Sequence, residues 1–397
     1  KKNVHFGAIN SLKEFSVADA QKQIDQETAI LQFGLGEKES FAWLITQKSI
    51  QFRKLPAKSV INQLSRDFYE TITNFNEADK AKLNKYQTEL NKMILQPFAE
   101  EIARTKRLVI IADGSLQFVP FSMLGVKENE PLSNKIEIVN LPSFSSLIYL
   151  RENKRLRQTV TNQTLAIFAD PIFQTTDERL RNKKFNHKSP NSDSLKQMLR
   201  DFGLNSLSRL PFTGIEAKAI AAIKPTETFL ALGAEASRQT FLNGGFNQYK
   251  ILHFATHGFL NQKTPELSGL VLSLYNANGK TENGFLRVID LYSLQLKNDL
   301  VVLSACQTAL GKEMNGEEIV GLTNGFLYAG ASGVVSSLWK VDDAATAEFM
   351  KRFYRAMLQD KQMPSTALQT AQNELRQISR FSHPRHWAGF ILTGEWR

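Results

Sequence analysis

Short runs of apolar residues, separated by polar and amphipathic stretches, fill most of the chain. From residue 165 onward the pattern is regular. Apolar runs at 165–169, 229–232, 250–254, 269–274, 300–305 and 333–339 alternate with helix-period segments at 214–223, 236–243, 287–296, 316–329, 343–359 and 365–379. Runs rich in Val, Ile and Leu without polar alternation read as strands covered on both faces, and their alternation with helices predicts a mostly parallel sheet. Upstream, a polar helix over 16–28 leads to strands at 29–33 and 41–46 around Gly34-Leu35-Gly36. Long amphipathic helices over 57–74 and 77–105 follow, then a strand at 108–112 stopped by Asp113-Gly114, strands at 116–124 and 136–141, and a helix over 143–154. Polar residues 157–163 mark a boundary. The expected organisation is therefore an α/β region over 1–156 and a second α/β domain over 157–397, with a long basic loop at 174–209. A loop of that length is functional or disordered. No repeat of the 34-residue helical type is found.

Composition narrows the class. The 397 residues carry a net charge of +10 and a single cysteine, with 42% hydrophobic and 22% charged positions. That is a folded chain long enough for two cores. One cysteine excludes an internal disulfide, a thiolate zinc site and CxxC redox chemistry, and points to a reducing, cytoplasmic setting. No strictly apolar run exceeds five residues, so no membrane-spanning helix is expected. The start, Lys1-Lys2-Asn3, lacks the apolar core of a signal peptide, and the chain reads as the excised C-terminal part of a longer one. The positive charge is densest between Arg179 and Lys188, with Arg181, Lys183, Lys184 and His187 but only Phe185 as an aromatic. A solvated loop is expected there, open to proteolytic nicking, and nucleic-acid binding is the weaker alternative.

Two residues share an address that matters in parallel sheets, where chemistry gathers beyond the carboxyl ends of strands. Cys306 closes Asp299-Leu-Val-Val-Leu-Ser-Ala-Cys306, and His257 closes Lys250-Ile-Leu-His-Phe-Ala-Thr-His257, followed by Gly258. A thiol becomes a nucleophile as thiolate, and a neighbouring imidazole takes its proton and later returns one to a leaving amine. Glycine after the histidine permits close approach of a substrate backbone. His253 and His257 are four apart, but on a strand they lie about 13 Å from each other, too far to share a metal. His253 is expected as a structural residue hydrogen-bonded below the site. The GxGxxG, P-loop and GxSxG patterns are incomplete or absent.

These strings, together with Pro265-Glu-Leu-Ser-Gly-Leu270, Gly316-Glu317, Gly321-Leu322, Phe326-Leu-Tyr-Ala-Gly330, Ser336-Ser-Leu-Trp-Lys-Val-Asp-Asp343 and Trp387-Ala-Gly-Phe390, resemble the CHAT domain of caspase-like cysteine peptidases. The resemblance is dense from about residue 207 to 396 and looser through 112–124. The separation 306 − 257 = 49 is also close to the spacing of about 50 in caspases. The resemblance implies a caspase-like, mostly parallel sheet flanked by helices, preceded by a related pseudo-protease-like half as in separase. It implies a regulated cysteine endopeptidase acting on proteins, without cofactor or metal. His257 would be the general base, Cys306 the nucleophile, and the backbone N–H groups of Gly258 and Cys306 the oxyanion hole. It also implies an activating partner or helical-repeat region not in this chain. By resemblance to separase, Ser337, Trp339, Asp342 and Asp343 would border the pocket for the residue before the cut. Asp342 and Asp343 equally fit the N-cap and first turn of the helix over 343–359. The alternative function is a catalytically silent interaction module of the same fold, with nucleic-acid binding through the basic loop as a third reading.

Overall fold

The apolar runs form strands β1 (Thr28–Gly34), β2 (Ser40–Ile45), β3 (Ile50–Leu55), β4 (Arg107–Ile111) and β5 (Glu137–Asn140). Then come β6 (Gln163–Pro171), β7 (Thr228–Gly233), β8 (Tyr249–Ala255), β9 (His257–Phe259) and β10 (Gly269–Val271). The last are β11 (Phe285–Arg287), β12 (Leu300–Leu303), β13 (Gly333–Ser337) and β14 (Phe390–Gly394). The principal helices are α1 (Lys58–Thr73), α2 (Lys80–Leu90), α3 (Phe144–Leu156), α4 (Pro211–Ala221), α5 (Glu317–Ala329), α6 (Asp343–Leu358) and α7 (Pro364–Arg376). This computed structural model describes residues 16–74, 79–126, 130–156, 163–180, 207–259, 261, 264–304 and 317–396. Contacts group the chain into a first unit, Lys1–Arg155 with Lys361–Arg397, and a second unit, Leu156–Asp360.

In the second unit the strand order is β13-β12-β8-β6-β7, and every pairing is parallel. This is the buried parallel sheet that the unalternated apolar runs predict. Successive strand residues point to opposite faces. Phe254 of β8 stacks on Phe168 of β6 at 5.4 Å between ring centres, with Phe241 and Phe246 edge-on to Phe168 and Phe326 of α5 beside Phe254. The adjacent residue, His253, meets Glu216 of α4 and Tyr354 of α6 instead. A second, three-stranded antiparallel sheet, β11-β10-β9, takes the chain on from β8.

In the first unit, β1, β4, β5 and β14 pair in parallel, and β2 and β3 add an antiparallel hairpin to β1. The C-terminal segment groups with this unit because β14 joins β5 and because Ser365 and Thr366 of α7 both donate to Glu137 at 2.7 Å.

Several elements differ from their sequence patterns: the helix expected over 287–296 is the single turn Val288–Leu291, and the apolar run 269–274 supplies β10, which pairs antiparallel in the small sheet and not in the parallel one. The helix expected over 77–105 is interrupted by a π turn at Asn91–Leu95 and a 3-10 turn at Gln96–Phe98, since Pro97 has no N–H to continue the ladder. The strand expected over 116–124 is a pair of 3-10 turns, Gly114–Phe118 and Phe121–Met123, entered at a left-handed Gly114 and separated by Pro120. Strand β3 has no clean apolar pattern because most of its side chains are exposed.

Candidate functional site

Strand β8 is buried along all but one of its residues, and its ladder with β12 runs Ile251↔Leu300 to Phe254↔Leu303. Beyond Ala255 the chain leaves the parallel sheet: Thr256 Oγ1 donates to the Val271 carbonyl, and His257 and Gly258 pair with Val271 and Leu270 of β10. His257 therefore stands at the step between two sheets, 2% exposed, its ring 5.0 Å from that of Phe173. Phe173 belongs to an apolar cluster with Leu207, Phe259, Val271, Leu274 and Phe285.

One contact of the ring reports its tautomer. His257 Nε2 lies 2.7 Å from the Ser208 carbonyl oxygen. A carbonyl oxygen only accepts, so Nε2 carries the hydrogen and donates it, and Nδ1 is the basic nitrogen of the neutral ring.

Strand β12 continues to Ser304, whose N–H donates to the Phe254 carbonyl at 2.9 Å and whose hydroxyl donates to Glu216. Cys306 lies outside the described residues, as do Arg181, Lys183, Lys184, Phe185 and His187 of the basic loop. Beneath the strand ends sits a fully buried polar cluster. His253 Nδ1 bonds the Tyr354 hydroxyl at 2.9 Å, and its Nε2 is 3.0 Å from Glu216 Oε1, an ion-pair distance without hydrogen-bond alignment. Glu216 thus links β8, β12 and α4, and His253 has the structural, hydrogen-bonded place expected of it. Burial pushes the Tyr354 hydroxyl well above its ordinary pKa, and Glu216 adds to the shift.

The four pocket candidates separate. Ser337 ends β13 and donates its hydroxyl to the Trp339 carbonyl, and both side chains are buried. Asp342 caps α6, accepting from the N–H groups of Ala344 and Ala345 at 3.1 Å each. Asp343, in the first turn, is half-buried. Burial raises its carboxyl pKa, and the neighbouring Asp342 adds to this, while Lys340 and His257 oppose it. Of the two aspartates, Asp342 is engaged as the cap, and Asp343 is the half-buried one.

Sequence reasoning missed Asp170, Ser208, Arg209, Glu216 and Tyr354. Asp170 had a usable signal, because it ends the apolar run 165–169 at its carboxyl side, the address used to find His257. The other four lie on helices or a loop, with no spacing relation to either strand. Among the described residues no group of three or more His, Cys, Asp or Glu is placed to hold a metal ion. No helix among them is long and apolar enough to cross a membrane.

Comparison with known proteins places this architecture. The sequence profile of the CHAT domain matches residues 84–395. Tetratricopeptide repeat protein 28 of Mus musculus is 26% identical over 333 residues, 74% of this chain, and its Homo sapiens counterpart is 26% identical over 330 residues. The chain spans only about 12% of the length of these relatives. Among solved structures, the Saccharomyces cerevisiae separase–securin complex aligns over 94% of this chain and 30% of that one, with a TM-score of 0.53 at 9% identity. At that identity the likeness concerns the fold alone, and it agrees with the caspase-like sheet expected from the sequence. With most of its length matched by one family profile, the chain belongs to the CHAT domain family.

Proposed function

We propose that the chain is a regulated cysteine endopeptidase with Cys306 as nucleophile and His257 as general base. The observation that carries this reading is a matched register. In the β8–β12 ladder Phe254 pairs with Leu303, an offset of 303 − 254 = 49, and Cys306 follows His257 by the same 306 − 257 = 49 residues. The last pair of that ladder lies three residues before His257 and three before Cys306 in sequence, and His257 itself pairs with Val271 of β10.

The chemistry follows from the tautomer. Nδ1 of His257 takes the thiol proton, and the thiolate attacks the scissile carbonyl carbon, so that a C–S bond forms as the carbonyl electron pair moves to oxygen. Backbone N–H groups of Gly258 and Cys306 receive that oxyanion, each such donor contributing about 3 kcal/mol to the transition state. When the C–N bond breaks, the amine leaves with the proton held on Nδ1. Water, deprotonated by the same nitrogen, then adds its oxygen to the acyl carbon, and as the C–S bond breaks the acid leaves and the proton on Nδ1 returns to the Cys306 sulfur. Asp343, half-buried in the first turn of α6, is the residue of the Ser337–Asp343 segment suited to favour a basic residue before the cut, whereas Asp342 is engaged as a cap. The first unit acts as a pseudo-protease-like half, since the chain's one cysteine lies at 306. A cytoplasmic setting suits a single free thiol. The name of the tetratricopeptide repeat relative supports control by a helical-repeat partner or region outside this chain.

Proteome-wide labelling of new protein N-termini, with the wild-type chain against Cys306→Ala, tests the proposal. New termini produced by the wild type alone are expected, and they name the substrate. Identical sets from both proteins would overturn the peptidase reading in favour of a silent interaction module.

A further inference from the structure

The residue that fixes the His257 tautomer, Ser208, belongs to a three-residue strap with an anchor at each position. Leu207 is buried in the apolar cluster beside Phe173, and its carbonyl accepts from Gln174 Nε2 at 2.8 Å. The Ser208 carbonyl accepts from His257. Arg209 is held by a carboxylate in two-pronged geometry, Nε to Asp170 Oδ1 at 2.9 Å and Nη2 to Oδ2 at 2.8 Å, with Glu178 as a further partner at 2.8 Å. Such paired bonds fix direction as well as distance.

Asp170 itself is placed with care. It sits at the carboxyl end of β6 with φ 47°, a left-handed conformation that Asp and Asn tolerate better than other side chains. Its N–H donates to Thr213 Oγ1 at 3.2 Å, and Gly214 packs so closely that a Cβ there would lie 3.0 Å from Asp170 Oδ2. The buried carboxylate also meets Arg179 at 3.0 Å, and Arg179 in turn donates to the Asp170 carbonyl at 2.8 Å. Arg179 and Arg209 stand on either side of residues 181–206, so one carboxylate holds the chain both before and after that segment.

We infer that Asp170 is a positioning residue: by gripping Arg209 it holds the Ser208 carbonyl against His257 Nε2 and thereby sets which ring nitrogen of His257 is basic. Asp170 itself does not touch the imidazole. It acts through the strap: Leu207 and its bond from Gln174 hold the chain before Ser208, and the Asp170–Arg209 pair holds it after. The consequence for rate rests on the peptidase reading; the consequence for the tautomer does not.

The test is Asp170→Asn in the full chain with ring-15N histidine, His257 being assigned by the signal lost in His257→Gln. Asn suits the left-handed backbone and matches Asp in size, but it removes the charge that holds two guanidinium groups. With the ring neutral, the wild type is expected to show Nε2 protonated and Nδ1 not. Asp170→Asn is expected to mix the two tautomers and to lower kcat on the labelled substrate at least about tenfold, with KM within about twofold. Arg209→Gln, at a side chain 37% exposed, repeats the measurement without disturbing the Asp170–Arg179 pair if Asp170→Asn fails to fold. A single Nε2-protonated tautomer in both folded variants overturns the inference whatever the activity. Mixed tautomers in a chain whose wild type cleaves nothing uphold the positioning and overturn only the peptidase reading.

Discussion

In the first unit β4 ends at Ile111, and the polar residues that follow turn back on neighbouring backbone. Asp113 accepts the Leu35 N–H at 2.7 Å, Asn62 accepts from Ser115 N–H at 3.1 Å, and Gly114 crosses in a left-handed conformation. In the second unit the carboxyl ends of parallel strands, or the residues just past them, hold Asp170, His257 and Ser304, whose side chains engage Arg209, the Ser208 carbonyl and the buried Glu216 in turn. Both units bury apolar parallel strands, yet one spends its strand ends on closing the backbone and the other on aligning titratable side chains. Similar sheets therefore do not imply similar sites. The site lies in which residues end the strands and in what holds them.

The largest expected effect tests this contrast directly. His257→Ala lowers hydrolysis of the identified substrate by at least about a thousandfold, whereas Asp113→Ala leaves the rate per folded molecule within about twofold. Steady-state kinetics on folded protein decides, and a comparable loss from Asp113→Ala would end the proposed division of labour. Next comes the buried support. Glu216→Ala leaves His253 and Ser304 without their shared partner and costs about 3 kcal/mol, read as a lower urea midpoint with unchanged slope.

Closure of the first unit carries a smaller cost. Gly114→Ala meets a left-handed φ of 55° and a Cβ position 2.9 Å from Asn62 Oδ1, and should destabilise by about 1–2 kcal/mol without changing the chemistry of the second unit. At Asp343 the sign reverses. Its folded carboxyl pKa is raised, chiefly by burial, so the protonated form favours folding and stability is lost as pH rises from the ordinary carboxylate range through the raised value. Asp343→Asn should raise Tm at pH 7, and the gain should vanish in acid, where Asp343 is protonated too. The smallest expected effect is a cut at a protease site engineered within 181–206. Because Asp170 holds both Arg179 and Arg209, the cut chain should keep its Tm within a few degrees.

What was legible in the sequence is what short-range pattern controls. Parallel strands in the second unit announced themselves because burial on both faces demands unbroken apolar runs, and β8 and β12 could be placed before any coordinates. Asp342 as a cap was legible for the same reason, since a cap acts within its own helix turn. Strand β3 was not, because most of its side chains are exposed and its place comes from pairing with β2. The helix over 77–105 failed at Pro97, where a missing donor outweighed a good apolar period.

The chain by itself thus determined the fold class and the family and singled out His257 and Cys306 as the candidate pair, all of which are written in contiguous strings. Only the tertiary structure decided that Ser208 fixes the imidazole tautomer, that Asp170 holds the strap which presents it, that Glu216 joins His253 to Ser304, and that the last residues pack with the first unit. Those partners are separated by tens to hundreds of residues. Hydrogen-bond direction and burial depend on where the folded backbone brings them, and no local period encodes that.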